Sequence, residues 1–274
     1  MASEPPFMPR VLVIAGSDSG GGAGIQADIK VITCLGGYAM TAITALTAQD
    51  TLGVHGIYPV PAEFVIKQAE ACLADIGVDA VKTGMLWNAE IVHAVAEFLK
   101  KHKPPNVVVD PVMVSKSGDS LLSPDAVKAM IEELLPLADV VTPNIEEAGR
   151  LAGMEMEATS PAMKRAARAI LALGPRAVIV KGGHMPKRPM DVVLTREEEV
   201  TLPGERIQTK NTHGTGCSFA SALATELGRG LRLDKAAYQA KRFITEAIRH
   251  SLNFGHGHGP TNPLAGARAV EKPS

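Results

Sequence analysis

Short apolar runs rich in β-branched residues alternate along this chain with longer stretches whose apolar residues recur at helical spacing. Residues 10–15, Arg-Val-Leu-Val-Ile-Ala, read as a buried strand that ends at Gly16. A glycine-rich loop over 16–24 follows, then a helix over 25–35 and a second strand over 38–49, rich in Thr, Ala and Ile. Residues 53–60 alternate and are punctuated by glycine and proline, which predicts an edge strand or flap. Phe64, Ile66, Ala69, Leu73 and Ile76 mark out a helix over 62–76, started by Pro61. Beyond it the pattern is regular. Strands are predicted over 79–83, 106–110, 140–141 and 177–181. Helices are predicted over 89–101, from Ser123-Pro124 to 134, over 144–151, and from Ser160-Pro161 onward. Residues 190–202 predict a hairpin with a charged turn at 196–199, and helices over 215–229 and 234–252 complete the series.

Strands alternating with helices predict an α/β fold with a central, mostly parallel sheet flanked by helices on both faces. Its small appendage is a flap near residues 38–60. No linker, composition shift or repeat divides the chain, so the expectation is a single domain over 10–264, with residues 1–9 and 265–274 as disordered tails.

Composition narrows the function. The 274 residues are 46% hydrophobic and 21% charged, with a formal net charge of −1. Near-neutral charge without a basic cluster argues against nucleic acid or a membrane surface as partner and favours small metabolites. No uninterrupted apolar run reaches about 18 residues, so no membrane-spanning helix is expected. Three cysteines, Cys34, Cys72 and Cys217, share no metal-ligand spacing. An odd count without an export signal points to a reducing cytoplasm. Cys34 and Cys72 lie in helical runs, where cysteine is usually a small buried hydrophobe.

The chemistry concentrates at the carboxyl ends of the predicted strands, where open α/β sheets bind ligands. These ends are the Gly16 loop, Gln49, Thr83-Gly-Met85, Asp110, Asn144 to Glu147, and Lys181-Gly-Gly-His184. Gly22-Ala-Gly-Ile-Gln-Ala27 matches a dinucleotide fingerprint. It lies too far beyond its strand, however, and no acidic residue answers it near 43–47. A P-loop sequence is absent. The stretch 211–223 stands out: polar turn residues, Gly214 and Gly216, then the small and apolar residues of a buried helix. A glycine loop feeding a helix start presents free N–H groups and partial positive charge, which suits a phosphate. The alternative is that Asn211 or Thr212 merely caps a core helix. Cys217 falls in the first turn, where the same field favours thiolate.

Phosphoryl transfer needs an anion cradle, a cation and a divalent metal. Lys181 is a candidate for the charge on the transferred group, or else a snorkelling lysine at a strand end. Asp110 and Glu147 offer hard oxygens suited to Mg²⁺ through water and substrate phosphates. Asp110 before Pro111 could equally terminate a strand, and Glu147 could serve as a helix-capping partner of Asn144. The histidines, His213 among them, form no zinc-like pair.

Taken in order, the motifs resemble a known family. They are Ala15-Gly-Ser-Asp-Ser-Gly-Gly-Gly-Ala-Gly-Ile-Gln-Ala-Asp28, Thr44-Ala-Leu-Thr-Ala-Gln49, Lys82-Thr-Gly-Met85, Val109-Asp-Pro-Val-Met113 and Lys116-Ser-Gly-Asp119. Thr142-Pro-Asn144, Lys181-Gly-Gly-His184, Asn211-Thr-His-Gly-Thr-Gly-Cys217 and Gly257-His-Gly-Pro260 continue them. Together they resemble the hydroxymethylpyrimidine/phosphomethylpyrimidine kinases of thiamine biosynthesis, within the ribokinase-like superfamily. The resemblance implies a ribokinase-like fold, commonly a homodimer. It implies ATP- and Mg²⁺-dependent phosphorylation of 4-amino-5-hydroxymethyl-2-methylpyrimidine and then of its monophosphate. By position, Gln49 would bind the aminopyrimidine, with Gly16, Asp28, Met85 and Val112 shaping the pocket. Lys181, Gly214, Thr215, Gly216 and Cys217 would face the transferring phosphate, and Thr209 and Thr212 the nucleotide. Asn144 and Glu147 would belong to the metal-associated motif, beside Asp110. Asp50 departs from the asparagine expected next to Gln49. Many ribokinase-like sugar kinases carry an aspartate base where this chain has Cys217, which leaves the thiol as base or as substrate contact. The alternatives are a pyridoxal or pyridoxine kinase, including a dual activity, and a binding protein without turnover.

Overall fold

The computed structural model describes residues 7–114, 118, 121–183, 185–186 and 188–270. Residues 1–6, Lys116, Ser117, Asp119, His184 and 271–274, on which some of the expectations above fall, lie outside the described residues.

Among the described residues, nine strands form one sheet in the order β3-β2-β1-β4-β5-β6-β7-β8-β9. Its parallel centre consists of β2 (Tyr38–Gln49), β1 (Arg10–Asp18), β4 (Ala80–Thr83), β5 (Val107–Val109), β6 (Val140–Val141) and β7 (Ala177–Lys181). Three antiparallel strands finish the edges: β3 (Val54–Pro59) beside β2, and the hairpin β8 (Met190–Thr195) and β9 (Glu199–Pro203) beside β7. The expected flap is therefore the β2–β3 edge of the sheet itself.

Strand alternation explains the two cores. On β1, Leu12 and Ile14 face one layer while Val11, Val13 and Ala15 face the other. The first layer holds α2 (Ala62–Asp75), α3 (Ala89–His102), α4 (Pro124–Ala129), α5 (Ile145–Ala152) and α6 (Ser160–Leu171). The second holds α1 (Gly24–Cys34), α7 (Thr215–Gly228) and α8 (Leu233–Arg249). Both faces are covered, which is why the central strands are apolar without interruption.

Helix starts follow local chemistry. Asn88, Ser123 and Thr159 cap α3, α4 and α6 with their side chains, and Pro124 and Pro161 sit in first turns. The helix expected to reach 134 does so only by changing form. After Ala129 it widens into a π turn over Met130–Leu134 and tightens over Leu135–Leu137 at Pro136. One boundary is corrected. Residues 265–269, expected as tail, belong to α9 (Pro263–Ala269), which Asn262 caps and whose Gly266 packs directly on Phe243 of α8. Sequence order reverses at β1, whose neighbours are β2 and β4, and at this switch point the strand ends open a crevice.

Candidate active site

A cavity of about 750 Å³ opens at those strand ends. One side of it is apolar. Ala45, Met85 and Leu121 form a small cluster with Val54, Ile57 and Val112, apart from the two main cores. Thr44 Oγ1 donates to the Met85 carbonyl at 2.7 Å, fixing that loop. Gly16 leaves room for Met85, since a β-carbon there would force the flexible end of that side chain, Cε, to swing aside. Gln49 ends β2 at the cavity, and its backbone is clasped by Ser19, whose Oγ donates to Gln49 O at 2.9 Å and accepts from Gln49 N at 2.8 Å. The Asp50 carboxylate is engaged by its own turn and by His55: Oδ1 accepts from the Leu52 and Gly53 amides, and Oδ2 lies 2.9 Å from His55 Nε2.

The opposite wall is the start of α7. Gly214 stands at its N-cap with φ of 76°, and no side chain caps the helix. Asn211 instead accepts from Gly259 N at 3.1 Å, and the Thr212 carbonyl accepts from Thr215 Oγ1 at 2.8 Å. The Thr215 amide turns back to the Thr212 carbonyl at 3.4 Å, and the helix start, Gly214, Thr215, Gly216 and Cys217, lines the cavity with Thr209 and Thr212 beside it. Lys181, at the end of β7, donates to Asp110 Oδ1 at 2.8 Å, and Thr142 Oγ1 donates to the same oxygen at 3.1 Å. Asp110 Oδ2 points toward Gly216. Asn144 and Glu147 close the wall in a reciprocal capping box: Glu147 N donates to Asn144 Oδ1 at 2.9 Å, and Asn144 N to Glu147 Oε2 at 2.7 Å.

Asp28 requires a correction. It does not line the cavity; it is fully buried beneath it, paired with the equally buried Lys82 at 2.9 Å and accepting from Ser221 Oγ at 2.6 Å. The motif Lys82-Thr-Gly-Met85 contains this lysine, but the sequence reading gave it no role. It also missed a bond from His213 Nε2 to Asp18 Oδ2 at 2.8 Å across 195 positions. No local pattern announces either pair.

Comparison with known proteins bears on what such a cavity does. The family model for phosphomethylpyrimidine kinase matches residues 18–262. The chain belongs to the phosphomethylpyrimidine kinase family. It is 47% identical over 264 residues to the hydroxymethylpyrimidine/phosphomethylpyrimidine kinase of Haemophilus influenzae, covering 94% of this chain and 98% of that one. It is 50% identical over 268 residues to the thiamine biosynthesis bifunctional protein ThiED of Geobacter sulfurreducens, covering 97% of this chain and 54% of that protein. The chain thus spans about half the length of that bifunctional relative. Among solved structures, the pyridoxal kinase of Bacillus subtilis, an ADP complex, superposes with a TM-score of 0.88 at 40% identity, covering 94% of this chain and 98% of that one. The sheet and its two helical layers are those of the ribokinase-like fold.

Two titratable groups distinguish the site of this phosphomethylpyrimidine kinase family member. Burial pushes the Cys217 thiol up to about 11, helped by Asp28 and Asp110 and only partly opposed by Lys82 and the Gly24 backbone. The expectation that the helix start favours thiolate is therefore overturned: desolvation outweighs the field of the first turn. Burial likewise pushes Glu147 up to about 7, where the Asp110 charge adds to the shift and Lys181 opposes it. A carboxyl raised above its unfolded value stabilises the fold below about pH 4.5 and loses that contribution as pH rises through about 7. Glu147→Gln, which can keep the capping bond, is therefore expected to raise stability by about 1–3 kcal/mol at pH 8 and hardly at all at pH 4.5. Thermal melts at the two pH values check this; an equal gain at both would refute it.

Proposed function

We propose that this protein transfers the γ-phosphoryl group of ATP to the hydroxymethyl group of 4-amino-5-hydroxymethyl-2-methylpyrimidine, and then phosphorylates the monophosphate, in thiamine biosynthesis. The observation that carries this reading is the placement of the Lys181–Asp110 pair and the uncapped start of α7 across one cavity from Gln49 and Met85. The names of its relatives support it. Gln49 offers an amide donor and acceptor to the aminopyrimidine edge, and Gly16, Met85 and Val112 shape the apolar wall. Gly214 and Gly216, with Thr215 between them, set the helix start against the transferring phosphate, and Lys181 neutralises charge that grows there. Thr209 and Thr212 border the nucleotide side.

Mg²⁺ suits the donors present. Asp110 and Glu147 are buried carboxylates near enough for the charge of one to raise the other. Among the described residues, however, no group of three or more His, Cys, Asp or Glu side chains is arranged to hold a metal. That fits an ion brought with the nucleotide rather than caged by protein. Asp110 and Glu147 would hold Mg²⁺, and Asn144 would act by fixing Glu147. When bound, the ion supplies charge neutralisation between the phosphates.

Burial makes the Cys217 thiolate scarce, so most of the rate enhancement falls to the amides and Lys181; the thiol acts as base only from its thiolate form, which takes the hydroxyl proton as transfer proceeds. Cys217→Ala is expected to lower kcat about 10²-fold while pyrimidine KM stays within about threefold. Turnover near that of the wild type would remove the base role. In the wild type, iodoacetamide labelling of Cys217, followed by peptide mass mapping, should accelerate about tenfold per pH unit between pH 7 and 10. A plateau near pH 8 would contradict the burial effect.

Steady-state ATP consumption with product mass analysis tests the assignment and reads both phosphorylation steps. A second reading, pyridoxal phosphorylation, rests on the likeness to the Bacillus subtilis pyridoxal kinase. A pyridoxal rate exceeding the pyrimidine rate would decide for it. The catalytic unit runs from residue 10 through α9, and we place it in a reducing cytoplasm; no described helix is long and apolar enough to cross a membrane. We also place a homodimer contact on the β2–β3 edge, where the cross-strand pair Leu46 and Tyr58 and the nearby Phe64 are exposed at 47%, 71% and 53%. Sedimentation velocity that shows only monomer at micromolar concentration would refute this contact.

A further inference from the structure

Three segments far apart in sequence meet at His213. Its Nε2 lies 2.8 Å from Asp18 Oδ2, with side chains 11% and 3% exposed. Asp18 gathers the loop after β1 around itself, accepting from Gly20 N at 2.8 Å, Gly22 N at 3.1 Å and Ala23 N at 2.7 Å. Burial would raise this carboxyl, but the His213 bond and these amides hold it below the usual carboxylate range, so Nε2 is the donor. The backbone of His213 is tied to a third segment, donating to Gly259 O at 3.1 Å and accepting from Thr261 N at 3.4 Å.

The consequence lies one residue further on. His213 precedes Gly214, which packs on the first loop so closely that a β-carbon there would fall against the Gly22 carbonyl, so the two loops are in direct contact. The first loop in turn carries Ser19, which clasps the Gln49 backbone. A continuous path therefore runs from the acceptor-side Gln49 through Ser19 and Asp18 to His213 and the amides of α7. The glycine contact has no directional bond of its own, so the Asp18–His213 hydrogen bond is the side-chain element that sets its register.

We propose that His213 is a positioning residue whose bond to Asp18 fixes the separation between the acceptor-binding side and the phosphate-facing amides. The inference rests on the kinase reading above. In phosphoryl transfer the reacting atoms must be aligned before reaction, and a misplacement of about 1 Å costs on the order of 10²-fold in rate. Nothing in this role requires His213 to touch substrate.

The test uses the full chain with two variants, ATP and the pyrimidine alcohol. His213→Phe keeps ring volume without a donor; kcat should fall about 10²-fold, with KM for ATP and for the pyrimidine each within about threefold. His213→Gln restores an N–H donor and should keep more than about a tenth of the wild-type kcat. Unchanged kcat in the Phe variant, a loss confined to KM, or a Gln variant as impaired as Phe would overturn the proposal. Should the Phe variant not fold, the Gln variant decides alone: more than a tenth of kcat upholds the role and less overturns it. Failure of the kinase reading is separate, since it shows as a wild-type protein that consumes no ATP with this alcohol.

Discussion

Lys181→Met is expected to lower kcat about 10³-fold, with pyrimidine KM within a few fold of the wild type. Lys181 stands at the start of α7: its Nζ is 3.3 Å from where a β-carbon on Gly216 would lie and 2.8 Å from Asp110 Oδ1. Burial alone would lower its pKa, but Asp110 and Glu147 outweigh burial and raise it, so the ammonium stays charged. Methionine keeps the length and removes the charge, so transition-state neutralisation is lost while the apolar acceptor wall is untouched. The same substitution leaves Asp110 buried with its cation gone, which should destabilise the fold by about 3–5 kcal/mol. Adding Asp110→Asn to Lys181→Met should recover much of that stability and none of the activity. Stability recovering together with turnover would assign the lysine a purely structural role.

Gly214→Ala is the second large effect, and a contrasting glycine serves as its control. Gly214 holds φ of 76°, a region that costs a residue with a β-carbon roughly 1–2 kcal/mol. Its β-carbon would also fall inside the Gly22 carbonyl oxygen, so the two loops must part. Turnover should drop by more than about 10²-fold as the amides of α7 move off the acceptor. Gly216→Ala places its β-carbon 3.3 Å from Lys181 Nζ, the end of a flexible side chain, and needs no unusual φ. It should cost no more than about tenfold, since that ammonium can yield. Equal losses in the two variants would show that loop bulk, rather than the Gly22 contact, decides activity.

These effects involve residues that were legible in the sequence to different degrees. The glycine loop at 214–217 could be read as a phosphate site because small residues before a buried helix leave few other uses. The competing capping readings for Asn211 and Thr212 fell only when the structure showed Asn211 bonded to Gly259 and no side chain at the cap. For Glu147 the capping reading is realised, and the carboxylate lines the cavity as well, so spacing had posed a choice that space does not require. Asp28 shows the reverse. Its motif placed it in the pocket, but the unannounced Lys82 draws it beneath the floor.

What the sequence determined by itself is the order and type of the elements, since apolar periodicity is local and strands buried on both faces leave a continuous signal. It also marked the strand-end positions at which chemistry could be placed. Tertiary structure alone decided which of those ends share a cavity, how Lys82 pairs with Asp28 and His213 with Asp18, and that burial pushes the Cys217 thiol up. Pair geometry depends on positions tens to hundreds of residues apart. Acidity depends on how much water the fold removes, and neither quantity is written in local spacing.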